Sequence, residues 1–586
     1  MPVPNLLVAA ALDEIADRLE IQGANPFRVR AYRNAARAVE PLADDVKQLA
    51  ERGATLEGRP GIGADLAGKI AEIATTGSCA LLRELRRQMP ASITELLKVP
   101  GLGPKRAKAL WQALDLRSPA QVLRAAREGR IRAVRGFGEP TERRIENALA
   151  ARLAGERRFT LDVASEFAEA MVRVLSAAPG AERVVVAGSF RRMRESVGDL
   201  DILVTAANGP AVVEHLLRTA DVDETLAHGP TRASVRLRGG PQVDLRVVPR
   251  ASFGAALVYF TGSKAHNIAL RRLAQARGLK INEYGVFRGE RRIAGATEAS
   301  VYRAVGLPVI PPELREDRGE LQAAREHRLP ALVALDDLRG DLHVHTDAGD
   351  GRESLAAMAA AARERGFAYV AIADPSRRPS MSHGLDAAGL ARQAAAIDDL
   401  NATFDDFRVL RGVECEILDD GRLDLSDDVL AGLDLVVAAV HGRFDLDRAR
   451  QTERLLRALG HPAVRVLAHP TGRVLGERVP CALDMLQVVR KARDCGTWLE
   501  LDAHPSRLDL DDTACRMCRD EGALVAVDAD AHGARDFDRL RFGIGQARRG
   551  WLRREDVVNT RTLAQLERLL AAPAPRRARR APARTA

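Results

Sequence analysis

Apolar residues recur along this chain in two rhythms. Through the first 150 residues they are spaced for amphipathic helices, as in ADLAGKIAEI, PKRAKALWQAL and EPTERRIENAL. Further on, short β-branched runs take over. RVVVA at 183–187 and QVDLRV at 242–247 read as strands. Beyond residue 340 one unit keeps returning, an apolar run followed by a His or an acid and then a helical pattern: RGDLHVHTDAGDG, YVAIADPS, RVLRGVECEIL, LVVAAVHGRF, VRVLAHPTGR, WLELDAHPSRLDL and LVAVDADAH. Strands alternating with helices, with polar residues at the strand ends, predict a barrel whose C-terminal face carries a site. The Ala/Leu-rich stretches are broken by Arg, Asp or Glu, so none offers the ~20 uncharged residues of a membrane span. The opening MPVPNLLVAAALDEIADRLE lacks a basic leader and is unlike a secretory signal, so the expected compartment is the cytoplasm.

With 586 residues and 46% hydrophobic content, the chain has material for about three or four domains. A net charge of +9 suggests an acidic partner, but Arg576, Arg577, Arg579, Arg580 and Arg584 supply five of these charges from a Pro/Ala/Arg-rich tail without acids. The remaining +4 on the body is weak evidence, so nucleic-acid binding has to be argued from local motifs. Six scattered cysteines make no disulfide framework, and Cys515-x-x-Cys518 has no second pair to complete a zinc site.

Each of the three helical stretches is preceded by a glycine hairpin: Gly61-Ile62-Gly63, Gly101-Leu102-Gly103 and Gly136-Phe137-Gly138. Paired glycines let the backbone turn tightly, so that amides at a helix N-terminus meet a phosphate oxygen. One copy would be an ordinary turn. Three copies, two with Lys or Arg in the following turn, predict helix-hairpin-helix contacts to the DNA backbone, which are blind to base sequence. Upstream, Arg28, Arg30, Tyr32, Arg33 and Arg37 fall at helical spacing and could wall a 5′-phosphate pocket.

In the middle of the chain Asp199 and Asp201 are two apart, so on a strand both point to one face. Asp244 stands between apolar neighbours on another strand. Three acids together are costly without a cation, and Mg²⁺, which prefers carboxylates and phosphates, fits. The Gly188-Ser189 turn lies about ten residues upstream, where its amides and hydroxyl, with Arg192, can cradle a triphosphate. Eight of the twelve histidines fall between 343 and 532. His343-x-His345, Asp530-x-His532 and single His at other strand ends mix imidazole with carboxylate, a set suited to Zn²⁺, Mn²⁺ or Fe²⁺.

The central motifs closely resemble those of DNA polymerase beta and its family X relatives, and the resemblance continues through Tyr259-Phe260-Thr261-Gly262-Ser263 and Lys280-Ile281-Asn282-Glu283-Tyr284. It implies that Asp199, Asp201 and Asp244 bind catalytic metal and that Gly188, Ser189 and Arg192 hold triphosphate. Tyr259, Phe260 and Gly262 would line sugar and base, with Tyr259 guarding against a 2′-hydroxyl, and Asn267 and Arg271 would face the nascent pair and template. Two positions depart: Met193 replaces a small residue, and Gln242 stands where some relatives carry Arg. Lys69 matches the Schiff-base lysine of relatives that remove 5′-deoxyribose phosphate, although Asp65 beside it argues against a strong lyase.

The histidine-rich region resembles the PHP family, and the segment IPPELREDRGE is similar to the linker of bacterial family X polymerases. This resemblance implies His343, His345, Asp350, Glu414, His441, His469, Asp530 and His532 as ligands for Mn²⁺ or Zn²⁺. Arg473 is the implied phosphate contact, and the implied activity is a 3′-5′ exonuclease, with abasic-site or 3′-end processing as extras. In YVAIADPS, Pro375 stands where the family has a ligand His, leaving His383 or water to fill the place.

Together these readings predict a multidomain α+β protein: a helical DNA-binding domain at 1–90, helix-hairpin-helix fingers at 91–150, a nucleotidyltransferase palm at 151–250 and a thumb at 251–318. A linker at 319–339, a PHP-type distorted β/α barrel at 340–570 and a disordered basic tail at 571–586 complete it. The expected function is short-gap repair synthesis by a monomer on gapped or primed DNA with dNTPs. One rival is a DNA-end-binding scaffold with a decayed nuclease site, which the intact acid triad opposes. The other is a phosphoesterase for small phosphates, which the three hairpins oppose.

Overall fold

In a computed structural model of the chain, residues 5–39, 46, 49, 56–57, 62–89, 102–116, 119–155, 158–377 and 384–571 are described. They form two compact units, Met1–Arg157 and Arg158–Ala586. No described helix is long and apolar enough to cross a membrane.

The described secondary structure of the first unit is helical: α1 (Asn5–Gln22), α2 (Pro26–Val39), α3 (Ala64–Thr76), α4 (Ala80–Gln88), α5 (Pro104–Leu114), α6 (Pro119–Arg127) and α7 (Glu139–Gly155). Its hairpins are anchored by the apolar residue between the glycines, since Ile62, Leu102 and Phe137 are all buried. Ile62 joins a core made by α1 to α4, while Leu102 and Phe137 join a second core made by α5 to α7. The basic face of α2 is smaller than the sequence suggests. Tyr32 is buried in the core, and Arg33 pairs with Asp17 and Glu20 at 2.8 Å each, which leaves Arg28, Arg30 and Arg37 exposed.

In the second unit, α8 (Leu161–Ser176) leads into a five-stranded sheet of β1 (Ala181–Val186), β2 (Asp199–Ala206), β3 (Val222–Gly229), β4 (Arg232–Leu237) and β5 (Gln242–Val247). Their order is β1-β2-β5-β4-β3, with β2 and β5 parallel and the other neighbours antiparallel. The short helix α9 (Gly188–Arg191) follows β1, and α10 (Gly209–Leu217) follows β2. Period-two alternation sends Leu200, Ile202 and Val204 of β2 into the core beneath the sheet. The opposite face carries Asp199 and Asp201, and Leu203 farther along it packs on Phe253 and Leu257 of α11 (Phe253–Thr261). Helix α12 (Lys264–Gln275), a small sheet of β6 (Lys280–Asn282), β7 (Gly285–Arg288) and β8 (Arg291–Ala294), and α13 (Glu298–Ala304) complete this part.

Seven parallel strands follow in sequential order: β9 (Gly340–Val344), β10 (Tyr369–Ile372), β11 (Arg408–Glu416), β12 (Leu435–Ala439), β13 (Val464–Leu467), β14 (Trp498–Asp502) and β15 (Val525–Asp528). The ends nearly close into a barrel, because His345 donates its amide to the Ala531 carbonyl at 2.8 Å just beyond β15. Alternation again sorts the side chains: Val370 and Ile372 enter one core and Tyr369 and Ala371 another. The crossover segments include α14 (Leu355–Glu364), α15 (Ala387–Asn401), α16 (Arg448–Ala458), α17 (Met485–Cys495) and α18 (Asp512–Glu521), while α19 (Leu540–Arg549) follows β15. Two barrel residues, Leu508 and Phe542, lie in the core of the five-stranded sheet, so these parts share packing. The six cysteines are free thiols, and burial pushes the Cys515 and Cys518 thiols up, as suits idle core residues.

Candidate active sites

In the palm, the parallel register sets Asp201 of β2 opposite Asp244 of β5, with Asp199 opposite Gln242. Burial, then Asp199 and Asp244, push the Asp201 carboxyl up to about 7. Partial burial and Asp244 likewise raise Asp199. Asp244 is held in place by the Ser234 hydroxyl and by Gln242 Nε2, which donates at 2.9 Å. Gln242 therefore orients an acid where some relatives place Arg. Asp199 and Asp201, whose ionised forms burial and the neighbouring carboxylates disfavour, fit a divalent cation, whose charge removes that cost. Gly188, at φ 64°, sits against Asp201, and a Cβ there would fall 2.4 Å from Oδ2, so only glycine brings this turn so close.

Arg192 follows the turn. Its guanidinium donates to the Thr261 carbonyl and, through Nε, to Glu316 at 3.0 Å. This ties the turn to the Tyr259–Gly262 segment. Tyr259 is partly exposed and meets Phe260 edge to face at 5.1 Å. Asn267 is buried and donates to the Tyr259 carbonyl at 2.7 Å, while Arg271 donates to the Asn267 carbonyl at 3.2 Å and lies 5.9 Å from the Tyr259 ring. The sequence-predicted nucleotide residues thus form one connected wall.

In the barrel, three sets of ligand atoms converge: His343, His345 and Asp530; His345, Asp350 and His532; and Glu414, His441 and His469. Among the described residues these are the groups of three or more whose ligand atoms all lie within 4.8 Å of one another, so the palm triad is more open. His345 Nε2 is 3.1 Å from Asp530, and Nε2 of both His441 and His469 is 3.1 Å from the same Glu414 oxygen. His343 Nε2 and His469 Nδ1 are buried without hydrogen-bond partners, and the two nitrogens of His345 face the carboxylates of Asp350 and Asp530 at 3.1 Å each. Burial alone would lower the His345 pKa, but Asp350 and Asp530 raise it to about 10. Orphaned ligand atoms in an anionic pocket fit bound divalent metal. His469 and Asp530 also adopt left-handed backbone, φ 27° and 47°, an uncommon conformation for non-glycine residues that tends to occur at functional sites.

Sequence reasoning missed the residues that aim these ligands. Glu500 takes His343 Nδ1 at 2.6 Å and the His469 amide at 2.7 Å, and Glu416 lies 3.0 Å from His441 Nδ1. Acids at strand ends were the available signal. Arg473 is buried and its guanidinium is engaged within the protein. It donates to the carbonyls of Arg507 and Leu508 and pairs with Glu195 at 2.9 Å, the contacts of a buried strut. Arg507, half-buried and 3.5 Å from Asp502, is a cation facing the cluster. Its burial would lower its pKa, yet Asp502, Asp530 and Glu414 raise it. Pro375 is buried and bridges Glu414 through the backbone, beside the Glu414–His441–His469 group, and His383 lies outside the described residues.

In the helical unit, Gly63 and Gly103 cap α3 and α5 in extended backbone, and Gly136 takes φ 93°. A Cβ at any of these three meets open space, which leaves their surface clear for a close approach; Gly138 has Pro140 at 3.6 Å. Gly61 and Gly101 lie outside the described residues. Lys69 pairs with Asp65. Partial burial favours its neutral amine, but Asp65 and Tyr32 outweigh this and raise its pKa.

The architecture is a polymerase beta-like core carrying helix-hairpin-helix modules and a PHP-type barrel. Residues 3–79 match the family model "Helix-hairpin-helix domain", 93–151 match "SAM-like Helix-hairpin-helix tandem", and 256–316 match "DNA polymerase beta thumb". Over 563 residues, 95% of this chain and 98% of the relative, it is 36% identical to the DNA polymerase/3′-5′ exonuclease PolX of Bacillus subtilis (strain 168). It is 28% identical over 347 residues to DNA polymerase lambda of Rattus norvegicus, covering 53% of this chain and 56% of that one. The chain belongs to the bacterial PolX family of DNA polymerase/3′-5′ exonucleases.

Proposed function

We propose that this protein fills short gaps in DNA during repair and trims 3′ ends, with synthesis in the palm and hydrolysis in the barrel. The observation that carries this reading is the Asp199–Asp201–Asp244 face, set by the parallel register of β2 and β5 beside the Gly188 turn. The proposed palm metal is Mg²⁺, which when bound lowers the pKa of the primer 3′-hydroxyl and screens triphosphate charge. The protein's own part is to hold these acids in register, to take the triphosphate on the Gly188-Ser189 turn and Arg192, and to place base and sugar against Tyr259, Phe260 and Gly262. Asn267 and Arg271 brace that wall. The hairpin glycines and Arg28 grip the DNA backbone, favouring a gap with a 5′-phosphate.

For the barrel we assign Mn²⁺ or Zn²⁺, which supplies an activated water and screens the scissile phosphate. Glu500 and Glu416 fix imidazole orientation, and Arg507 meets the phosphate. Pro375 brings no donor to the Glu414–His441–His469 group, so the nuclease is weak or needs excess Mn²⁺. The functional division follows the boundaries read from the sequence, and we place the protein in the cytoplasm as a monomer. The test is primer extension on a gapped duplex, with 3′-5′ degradation followed in parallel and Mg²⁺ and Mn²⁺ titrated separately. Extension with either metal supports the reading, and its absence with both overturns it.

A further inference from the structure

Residues 192–198 join the arginine proposed to hold the triphosphate to the first acid of β2, and the barrel fastens this loop at three places. Arg549, at the end of α19, donates to Glu316 Oε1 at 2.8 Å and to the Arg192 carbonyl at 2.9 Å. Met193, at φ 53°, lies on Gly545 of the same helix, where a Cβ would fall 2.4 Å from its Cε. Glu195 pairs with the buried Arg473. The unusual Met193 thus has a physical reason: it packs on a glycine of the barrel.

The charges form a chain. Glu316 Oε1 is shared by Arg192 Nε at 3.0 Å and Arg549 Nη1 at 2.8 Å, while Arg549 Nη2 reaches Asp512 at 2.6 Å and Arg318 pairs with Asp512 at 3.0 Å. The Arg549 side chain is only 2% exposed and that of Glu316 12%. A carboxylate this buried is costly when its partner leaves. A triphosphate that draws Arg192 away removes one of the two guanidiniums on Glu316. Arg549 remains, so Glu316 stays paired.

We infer that Arg549 of the nuclease barrel is a positioning residue for the polymerase, keeping Glu316 neutralised so that Arg192 can be released to the incoming nucleotide. The inference rests on the proposed role of Arg192 as a triphosphate contact. Without Arg549, release of Arg192 would strand a buried carboxylate, and nucleotide binding would weaken while the chemical step stayed much as before.

The test uses the full-length protein on a one-nucleotide gap, with single-turnover titration of dNTP giving Kd and maximal rate. Arg549→Met should raise Kd about tenfold with the maximal rate within about threefold. Adding Glu316→Gln removes the stranded charge, so the double variant should return to within about threefold of wild type. A purely structural role for Arg549 would not be rescued by that second change. An unchanged Kd in Arg549→Met, or no recovery in the double variant, overturns the inference. Arg192→Ala separates the two readings. If it leaves Kd unchanged, Arg192 is no triphosphate contact; if it raises Kd while Arg549→Met does not, the role of the barrel alone fails. Should Arg549→Met not fold, Arg549→Gln takes its place, since it can still hydrogen-bond to Glu316 but carries no charge to neutralise it. A rise in Kd that Glu316→Gln reverses then supports the inference, and a wild-type Kd overturns it.

Discussion

Asp201 and Asp244 are neighbours across two parallel strands, so two carboxylates share one face at the point where the Gly188 turn presses closest. Ile202 and Leu245, the next pair along, point the other way into the palm core. The sheet therefore orders its acids with the same packing that stabilises it. Asp201→Ala is expected to cut nucleotide addition by more than about a thousandfold while gapped-DNA binding stays within a few-fold. Primer extension and a binding titration on the same preparation check this, and retained extension would refute the role of Asp201.

His343 leaves Nε2 toward the barrel cluster and is aimed by Glu500. His343→Ala should lower bound metal and reduce 3′-5′ degradation by at least about a hundredfold, with gap filling unchanged. Metal analysis and the two activity assays read this out. Parallel loss of both activities in a folded variant would contradict separate metal centres.

Pro375 meets Glu414 through its backbone and offers no donor atom. Pro375→His should raise Mn²⁺ content and increase Mn²⁺ affinity and 3′-5′ degradation by about tenfold or more, the scale on which even supporting interactions tune metal sites. A wild-type protein already fully loaded and vigorous, with nothing gained by the histidine, would sink this expectation.

Arg507 and Arg473 should separate by phenotype. Arg507→Ala is expected to weaken 3′-5′ degradation out of proportion to any fall in melting temperature, since its side chain faces the cluster carboxylates. Arg473→Ala should lower the melting temperature first, because its guanidinium satisfies two buried carbonyls and Glu195. The reverse pattern would restore Arg473 as the phosphate contact.

Glu298 on α13 gives an acid-sensitive joint. Burial works to raise its pKa, but Arg191, at 2.7 and 2.9 Å, and Arg315, at 2.7 Å, bring it down to about 2. A carboxyl with a folded pKa below its ordinary 4.5 stabilises the fold above that value. This stabilisation, on the order of 3 kcal/mol, is lost as pH falls from 4.5 toward 2. Glu298→Gln should melt earlier at neutral pH and lose less stability than wild type across that acid range. Equal acid sensitivity in the two proteins would rule out this contribution.

The sequence by itself determined what each strand and hairpin presents. The two-residue spacing put Asp199 and Asp201 on one face, His-x-His marked a strand end, and glycine pairs marked turns, because side-chain direction follows from backbone period within a few residues. Tertiary structure decided which of these meet. The register that joins Asp201 to Asp244, the burial of Tyr32, the turning of Arg473 toward Glu195 and of Arg507 toward Asp530, and the fit of Met193 on Gly545 all depend on segments tens to hundreds of residues apart. Such contacts are fixed by close packing and by the need to pair every buried charge. An isolated motif cannot carry that information, since the partner that completes it lies in another element.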